Sequence, residues 1–208
     1  MEIHPPEQKE EMDALIANTN TDKSDPKGSK FSKLRLRAIG GKKKETLKWR
    51  KVKGADGYVL YGAKCGKPMK RIAMVKSKKS KYVQKKLKKG TYYKYIIVAY
   101  KNIDGTKYVT DISKSAHAVM KGKKFGNAKK VTCKNIKVKV KKKKALKPKY
   151  TLEKKGKIHI AKFRYESSNT KIATVNKKGK IKGKKKGKCY IYVYAQNGFY
   201  KKVKVTVK

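Results

Sequence analysis

From Phe31 onward the apolar residues recur at every second position, in short runs bounded by Gly, Asp or Lys-rich turns. KLRLRAI alternates at Leu34, Leu36 and Ala38, and ETLKWRKV at Leu47 and Trp49. GYVLYGA, KRIAMV, SKYVQKKL, TYYKYIIVAY, KYVTDI and SAHAVM follow. A period of two with turns at near-regular spacing predicts strands of a β-sandwich. The segment Asn102-Ile103-Asp104-Gly105 predicts a hairpin, because Asp-Gly accepts the positive φ of a tight turn. No helical period of useful length occurs after residue 30.

The first 30 residues follow another pattern. Pro5 and Pro6 could open a short helix over EQKEEMDALI, with Met12, Leu15 and Ile16 on one face. NTNTDKSDPKGSK then has turn and linker chemistry without apolar periodicity, so residues 18–30 are expected to be disordered. Residues 1–30 are therefore read as a tail.

The alternation breaks again at KGKKFGNAKK, and a linker is placed at 122–130. A second strand series begins beyond it: VTCKNIKVKV, ALKPKYTL, KIHIAKFRYES, KIATVN, KGKIKG, KCYIYVYAQ and YKKVKVTVK. Asn197-Gly198 is another hairpin signal. The pattern is all-β, with two tandem β-sandwiches at 31–121 and 131–208 behind a disordered or partly helical acidic tail.

Charge changes the picture. The 208 residues include 62 Lys or Arg and 13 Asp or Glu. The tail carries seven acids and four bases; everything after it carries six acids and 58 bases. Only five of the bases are Arg: Arg35, Arg37, Arg50, Arg71 and Arg164. Arg grips guanine edges and phosphates with two parallel bonds, whereas Lys is a flexible point charge. The composition suits adhesion to any polyanion better than reading of a base sequence. No apolar run approaches the ~20 residues of a membrane helix, and no secretory signal follows Met1.

The first strand series resembles a fibronectin type III domain. The carrying residues are Trp49 in LKW, GADGYVLY, and LKKGTYYKYIIVAY with Leu87, Gly90, Thr91 and Tyr93. The resemblance implies a core Trp49 and a tyrosine-corner role for Tyr93, followed by inward Tyr95, Ile97 and Ala99.

The second series resembles a bacterial Ig-like domain of group 2. Tyr165, Ser167, Ser168, Ile172, Ala173, Thr174, Val175, Gly179, Gly183, Gly187 and Ile191 carry the pattern, with Tyr165 standing where the family usually has Trp. The Lys-rich pairing of the two modules is similar to the C-terminal ends of surface and secreted proteins of Gram-positive bacteria. That resemblance implies an extracellular or cell-surface location. Core positions expected from both series are Trp49, Tyr93, Tyr165, Ile172, Val175 and Ile191.

The Lys excess is the main candidate for chemistry. One reading is a polyanion-binding surface, with Lys141, Lys142, Lys143, Lys144, Lys184, Lys185, Lys186 and Lys188 as its densest runs. The other is a solvated Lys coat on a plain sandwich, and both stay open. Lys and Tyr interleave as in glycan or nucleic-acid platforms, but sandwich parity accounts for most of the Tyr. Tyr100, Tyr190, Tyr192, Tyr194 and Tyr200 are expected to be the exposed ones. Cys133 and Cys189 share inward parity and could pair, although two buried thiols are the simpler reading. Cys65 has no partner in its own module and is at most a reactive or cross-linking thiol. His4, His117 and His159 are scattered, and no spacing marks a metal site. No carboxylate pair, nucleophile motif or phosphate loop is visible, so no catalysis and no cofactor are expected.

The expectation is a non-catalytic, monomeric structural or adhesive module without a membrane span. Its partners would be anionic cell-wall polymers such as teichoic acid, or acidic glycans. A non-specific nucleic-acid-binding protein, or an accessory module of a secreted enzyme, is the alternative.

Overall fold

The computed structural model describes residues 9–122 and 124–208, with side chains from Met12 onward. Pro5 and Pro6 lie outside the described residues. The chain divides into two units, Met1–Phe125 and Gly126–Lys208.

Two sheets build the first unit. One pairs β1 (Arg37–Gly40), β2 (Glu45–Lys48) and β5 (Lys81–Gln84) in the order β1-β2-β5. The other runs β4-β3-β6-β7, from β3 (Gly57–Lys64), β4 (Lys70–Lys76), β6 (Tyr92–Ile103) and β7 (Thr106–Ile112), with β8 (Ala116–Val119) also paired to β6. Asp104 and Gly105 both take positive φ between β6 and β7, as the hairpin signal required. Between the sheets lie Leu36, Leu47, Trp49, Tyr58, Leu60, Tyr95, Ile97 and Ala99. Trp49 meets Tyr58 edge-on, with ring centroids 5.4 Å apart. The Tyr93 hydroxyl accepts a 3.0 Å hydrogen bond from the backbone N–H of Lys88, five residues upstream. This is the tyrosine-corner contact of such sandwiches.

Two expectations are corrected here. Leu34 does not begin a strand. Phe31–Leu34 forms a single helical turn, α2, closed by Arg35 in the left-handed region, and the strand starts only at Arg37. Residues 18–30 are not a loose tail either. Helix α1 (Lys9–Ala17) and the turns after it lie on the sandwich. The reason is in β3 and β6, whose residues are buried on both faces. Val59, Tyr61, Ile96 and Val98 point away from the inter-sheet core and would leave an apolar sheet face in water. Met12 and Ile16, with Met69, cover it, whereas Leu15 stays 58% exposed. Each such side chain contributes about 1.5–3 kcal/mol when fully buried.

Polar contacts continue this attachment. The Tyr61 hydroxyl donates to Asp13 at 2.6 Å, and Arg71 approaches the same carboxylate at 3.5 Å. Asp25 accepts from both the backbone N–H and the hydroxyl of Ser115, each at 2.9 Å. Asp13 and Asp25 thus meet donors on a basic sandwich.

The second unit begins earlier than the expected linker allowed. β9 (Ala128–Thr132) pairs with β12 (Lys149–Leu152), so 126–130 belong to this unit. One sheet runs β10-β17-β16-β13, from β10 (Ile136–Val138), β13 (Arg164–Ser167), β16 (Gly187–Tyr194) and β17 (Tyr200–Val207). A second runs β11-β15-β14, from β11 (Lys143–Ala145), β14 (Ala173–Val175) and β15 (Lys180–Gly183). The β10–β17 pair is parallel. Ile181, Ile191, Val193, Val203 and Val205 fill the core, with Tyr165, Ile172 and Val175 half-buried at its margin. Gly179 has φ +74, and a Cβ there would meet the Tyr165 ring at 2.6 Å, so the aromatic position and the glycine require each other. Ser167 donates to the Ala173 carbonyl at 2.7 Å, and Ser168 accepts from the Tyr190 N–H at 2.9 Å. The paired serines therefore stitch β13 to the neighbouring strands. Cys133 and Cys189 are free thiols, the first half-buried and the second buried.

Candidate functional site

The lysine runs 141–144 and 184–186 are about forty residues apart in sequence, yet meet at one end of the second unit. The chain turns at Lys139–Lys142, where the Lys142 N–H bonds to the Lys139 carbonyl at 3.1 Å and Lys141 takes φ 63. Lys141 then donates to the Gly183 carbonyl at 2.8 Å, and Gly183 donates to the Lys142 carbonyl at 3.1 Å. Beyond this contact β11 pairs with β15, setting Lys143 opposite Lys182. A Cβ on Gly183 would lie 2.7 Å from the Lys139 carbonyl, so a side chain here would force the two backbones apart. Val140 donates to the Lys208 carbonyl at 3.0 Å, which brings the last lysine to the same end. The turn after Gly183 is anchored by the Lys184 N–H on the Ile172 carbonyl at 2.8 Å.

All eight lysines singled out in the sequence are exposed. Seven of them lie in the two joined turns and β11. Lys188 lies beyond Gly187, which pairs with Val207 of β17. Lys139, Lys182 and Lys208 join the same end without having been singled out. The unit contains 29 basic and two acidic residues, and the acids, Glu153 and Glu166, lie in neither run. One ammonium is held locally: Lys144 Nζ donates to the Lys137 carbonyl at 3.3 Å.

Of the five tyrosines expected to be exposed, the structure leaves one on the surface. Tyr190 is 38% exposed, with the Lys202 ammonium 3.9 Å from its ring centroid. Tyr100 and Tyr200 are half-buried. Tyr192 and Tyr194, expected on the surface, are 6% and 1% exposed. Their parity is outward, but the Arg164 guanidinium lies 4.7 Å from the Tyr194 ring centroid and the Tyr200 ring 6.0 Å from that of Tyr192. A row of Tyr along β16 therefore packs its faces against its own neighbours rather than offering them to a ligand.

A second grouping escaped the sequence because its members are far apart along the chain. Asp22, Cys65 and His117 place one donor atom each within 4.8 Å of one another. Cys65 follows β3, His117 lies in β8, and Asp22 comes from the segment expected to be disordered. Cys65 Sγ is 3.4 Å from His117 Nδ1, and His117 Nε2 is 3.3 Å from Ser115 Oγ. The Asp22 carboxylate accepts from the Gly66 N–H and from Lys94 Nζ. Burial pushes the Cys65 thiol up to about 12, with the Asp22 charge adding to the shift. A thiol so raised is no nucleophile at neutral pH.

Residues 127–207 match the family model of the bacterial Ig-like domain (group 2). The second unit matches that family over nearly its whole length. The matched residues include the strands and turns that carry the lysine-lined end. Among solved structures, the chain is similar to the fn3 domain of human collagen alpha-1(XX) chain, at 16% identity and TM-score 0.35, covering 45% of this chain and 87% of that one. It is also similar to the fn3 domain of human contactin 1, at 15% identity and TM-score 0.36, covering 42% and 76%. A β-1,2-glucanase from Parabacteroides distasonis matches at 16% identity and TM-score 0.36, over 44% of this chain and 13% of that one. No curated protein matches. Among the described residues, no helix is long and apolar enough to cross a membrane.

Proposed function

We propose that the chain is a non-catalytic, extracellular structural and adhesive module that holds to anionic polymers through the lysine-lined end of its bacterial Ig-like domain. The observation that carries this reading is the joining of the 141–144 and 184–186 runs by backbone hydrogen bonds. Ammonium groups gathered on adjoining turns repel one another, and that repulsion is relieved when a polyanion replaces small counter-ions. Teichoic acid and acidic glycans present such charge in repeated units. Recognition would be sequence-blind, because Lys offers point charges without the two-pronged geometry of Arg.

Titration with lipoteichoic acid, heparin and random-sequence DNA at several salt concentrations tests this. Binding should weaken steeply as salt rises; for duplex DNA each neutralised phosphate contributes about −0.9 to the slope of log K against log salt. Replacing Lys184, Lys185, Lys186 and Lys188 together by Ala should lower affinity and flatten the slope, while any one replacement should do little. Absence of binding to all three polymers at low salt would leave a plain spacer. Preference for DNA over both other polymers would favour a nucleic-acid role.

A further inference from the structure

The grouping of Asp22, Cys65 and His117 has the composition and the internal wiring of a transition-metal site. His117 is 2% exposed, and the orientation of its ring follows from its neighbours. Asp25 can only accept, so the Ser115 hydroxyl donates to it at 2.9 Å. Ser115 Oγ is then left to accept from His117 Nε2–H at 3.3 Å. The lone pair of the imidazole is therefore on Nδ1, the nitrogen that faces Cys65 Sγ at 3.4 Å. Two donors bound to one tetrahedral zinc stand about 3.5 Å apart, given bonds of about 2.3 Å to sulfur and 2.0–2.1 Å to nitrogen. The Cys65–His117 separation already meets that spacing.

The carboxylate supplies an independent sign. Asp22 Oδ2 is used by Gly66 and Lys94, while Asp22 Oδ1 is shielded from solvent and has no hydrogen-bond partner. A carboxylate oxygen shielded from water and left unpaired forfeits its solvation without a replacement. One oxygen of the Asp22 carboxylate lies within 4.8 Å of the thiol and the imidazole. The path from His117 through Ser115 to Asp25 is the outer-shell arrangement that orients metal-bound histidines.

We infer that Asp22, Cys65 and His117 bind a divalent transition ion, zinc by the preference of mixed sulfur, nitrogen and oxygen donors. Binding replaces the thiol proton: the Cys65 S–H bond breaks, the sulfur lone pair goes to the ion, and one proton leaves to solvent. Lys94 keeps its contact with Oδ2 while Oδ1 turns to the ion. Because Asp22 comes from the N-terminal segment and the other two donors from the sandwich, the ion pins that segment to the sandwich strands within the first unit. This site is separate from the lysine-lined end and does not depend on it.

Cobalt titration of the full chain is the test. One equivalent of Co2+ should raise a near-ultraviolet thiolate-to-cobalt band that Zn2+ then removes. The band should be lost in C65S and kept in C133S and C189S. S115A, which leaves all three donors in place, should weaken Co2+ binding about 10–100-fold. Zn2+ should also slow tryptic cleavage at Lys23 and Lys27. No band from the wild-type chain at equimolar cobalt would overturn the inference, even if a variant fails to fold. A band that persists in C65S, or unchanged affinity in S115A, would equally overturn it.

Discussion

The hydroxyl of Tyr61 donates a 2.6 Å hydrogen bond to the carboxylate of Asp13, tying helix α1 to strand β3. The ring of Tyr61 is fully buried on the outer face of its sheet, so its hydroxyl needs a partner there. Asp13 adds a negative charge beside it, and together with burial this drives the phenol well above its ordinary range. Y61F should cost about 1 kcal/mol. The loss should show as faster hydrogen exchange in residues 12–17, with the strands of the same unit little changed.

Trp49 is the larger anchor of the first core. Trp49→Ala should cost roughly 3–5 kcal/mol, the range for large aromatic truncations. Tyr93→Phe keeps the ring and removes only the acceptor for the Lys88 N–H, so about 1 kcal/mol is expected. Urea denaturation of the two variants should separate them by that margin. Equal midpoints would mean that the corner contact and the core Trp matter alike.

Residues 126–208 should fold without the first unit. Their core is complete within the Ig-like domain, and β9 lies within it rather than in a linker. A dispersed amide spectrum from this fragment is expected. A fragment starting at residue 131 lacks Ala128 and the rest of β9's start. It also loses the Ala128 carbonyl that accepts from Asn197 at 2.8 Å, and it should be less stable.

Asp111 gives a pH dependence. Burial raises its carboxyl, against the pull of Lys33 and Lys30, so the folded state holds the proton more tightly than the unfolded chain. Stability from this group is therefore present at low pH and lost as pH rises through the raised folded value. D111N carries no charge to bury. It should melt above the wild type at pH 7, with the gap closing below about pH 3.9, where an ordinary Asp is protonated. A gap that widens in acid would reverse the assignment.

The alternation of apolar residues was enough to define two β-sandwiches, because burial of one sheet face imposes a period of two on any sequence that folds this way. Trp49 and Ile191 were legible as core for that reason, and Tyr93 through the resemblance of its segment to a fibronectin type III domain. Single lysine runs were legible as well, since charge is a property of composition. What parity could not convey is whether a sheet's second face is covered. YIIVAY in β6 is apolar at consecutive positions, a sign of burial on both faces, but only the folded chain shows that Met12 and Ile16 supply the cover. The same limit hid the burial of Tyr192 and Tyr194, whose parity is outward. The meeting of residues 141–144 with 184–186, and of Asp22 with Cys65 and His117, has no local signature at all. Separations of forty or more residues are closed by strand pairing and turn geometry, and these act between parts of the chain that carry no mark of one another in sequence.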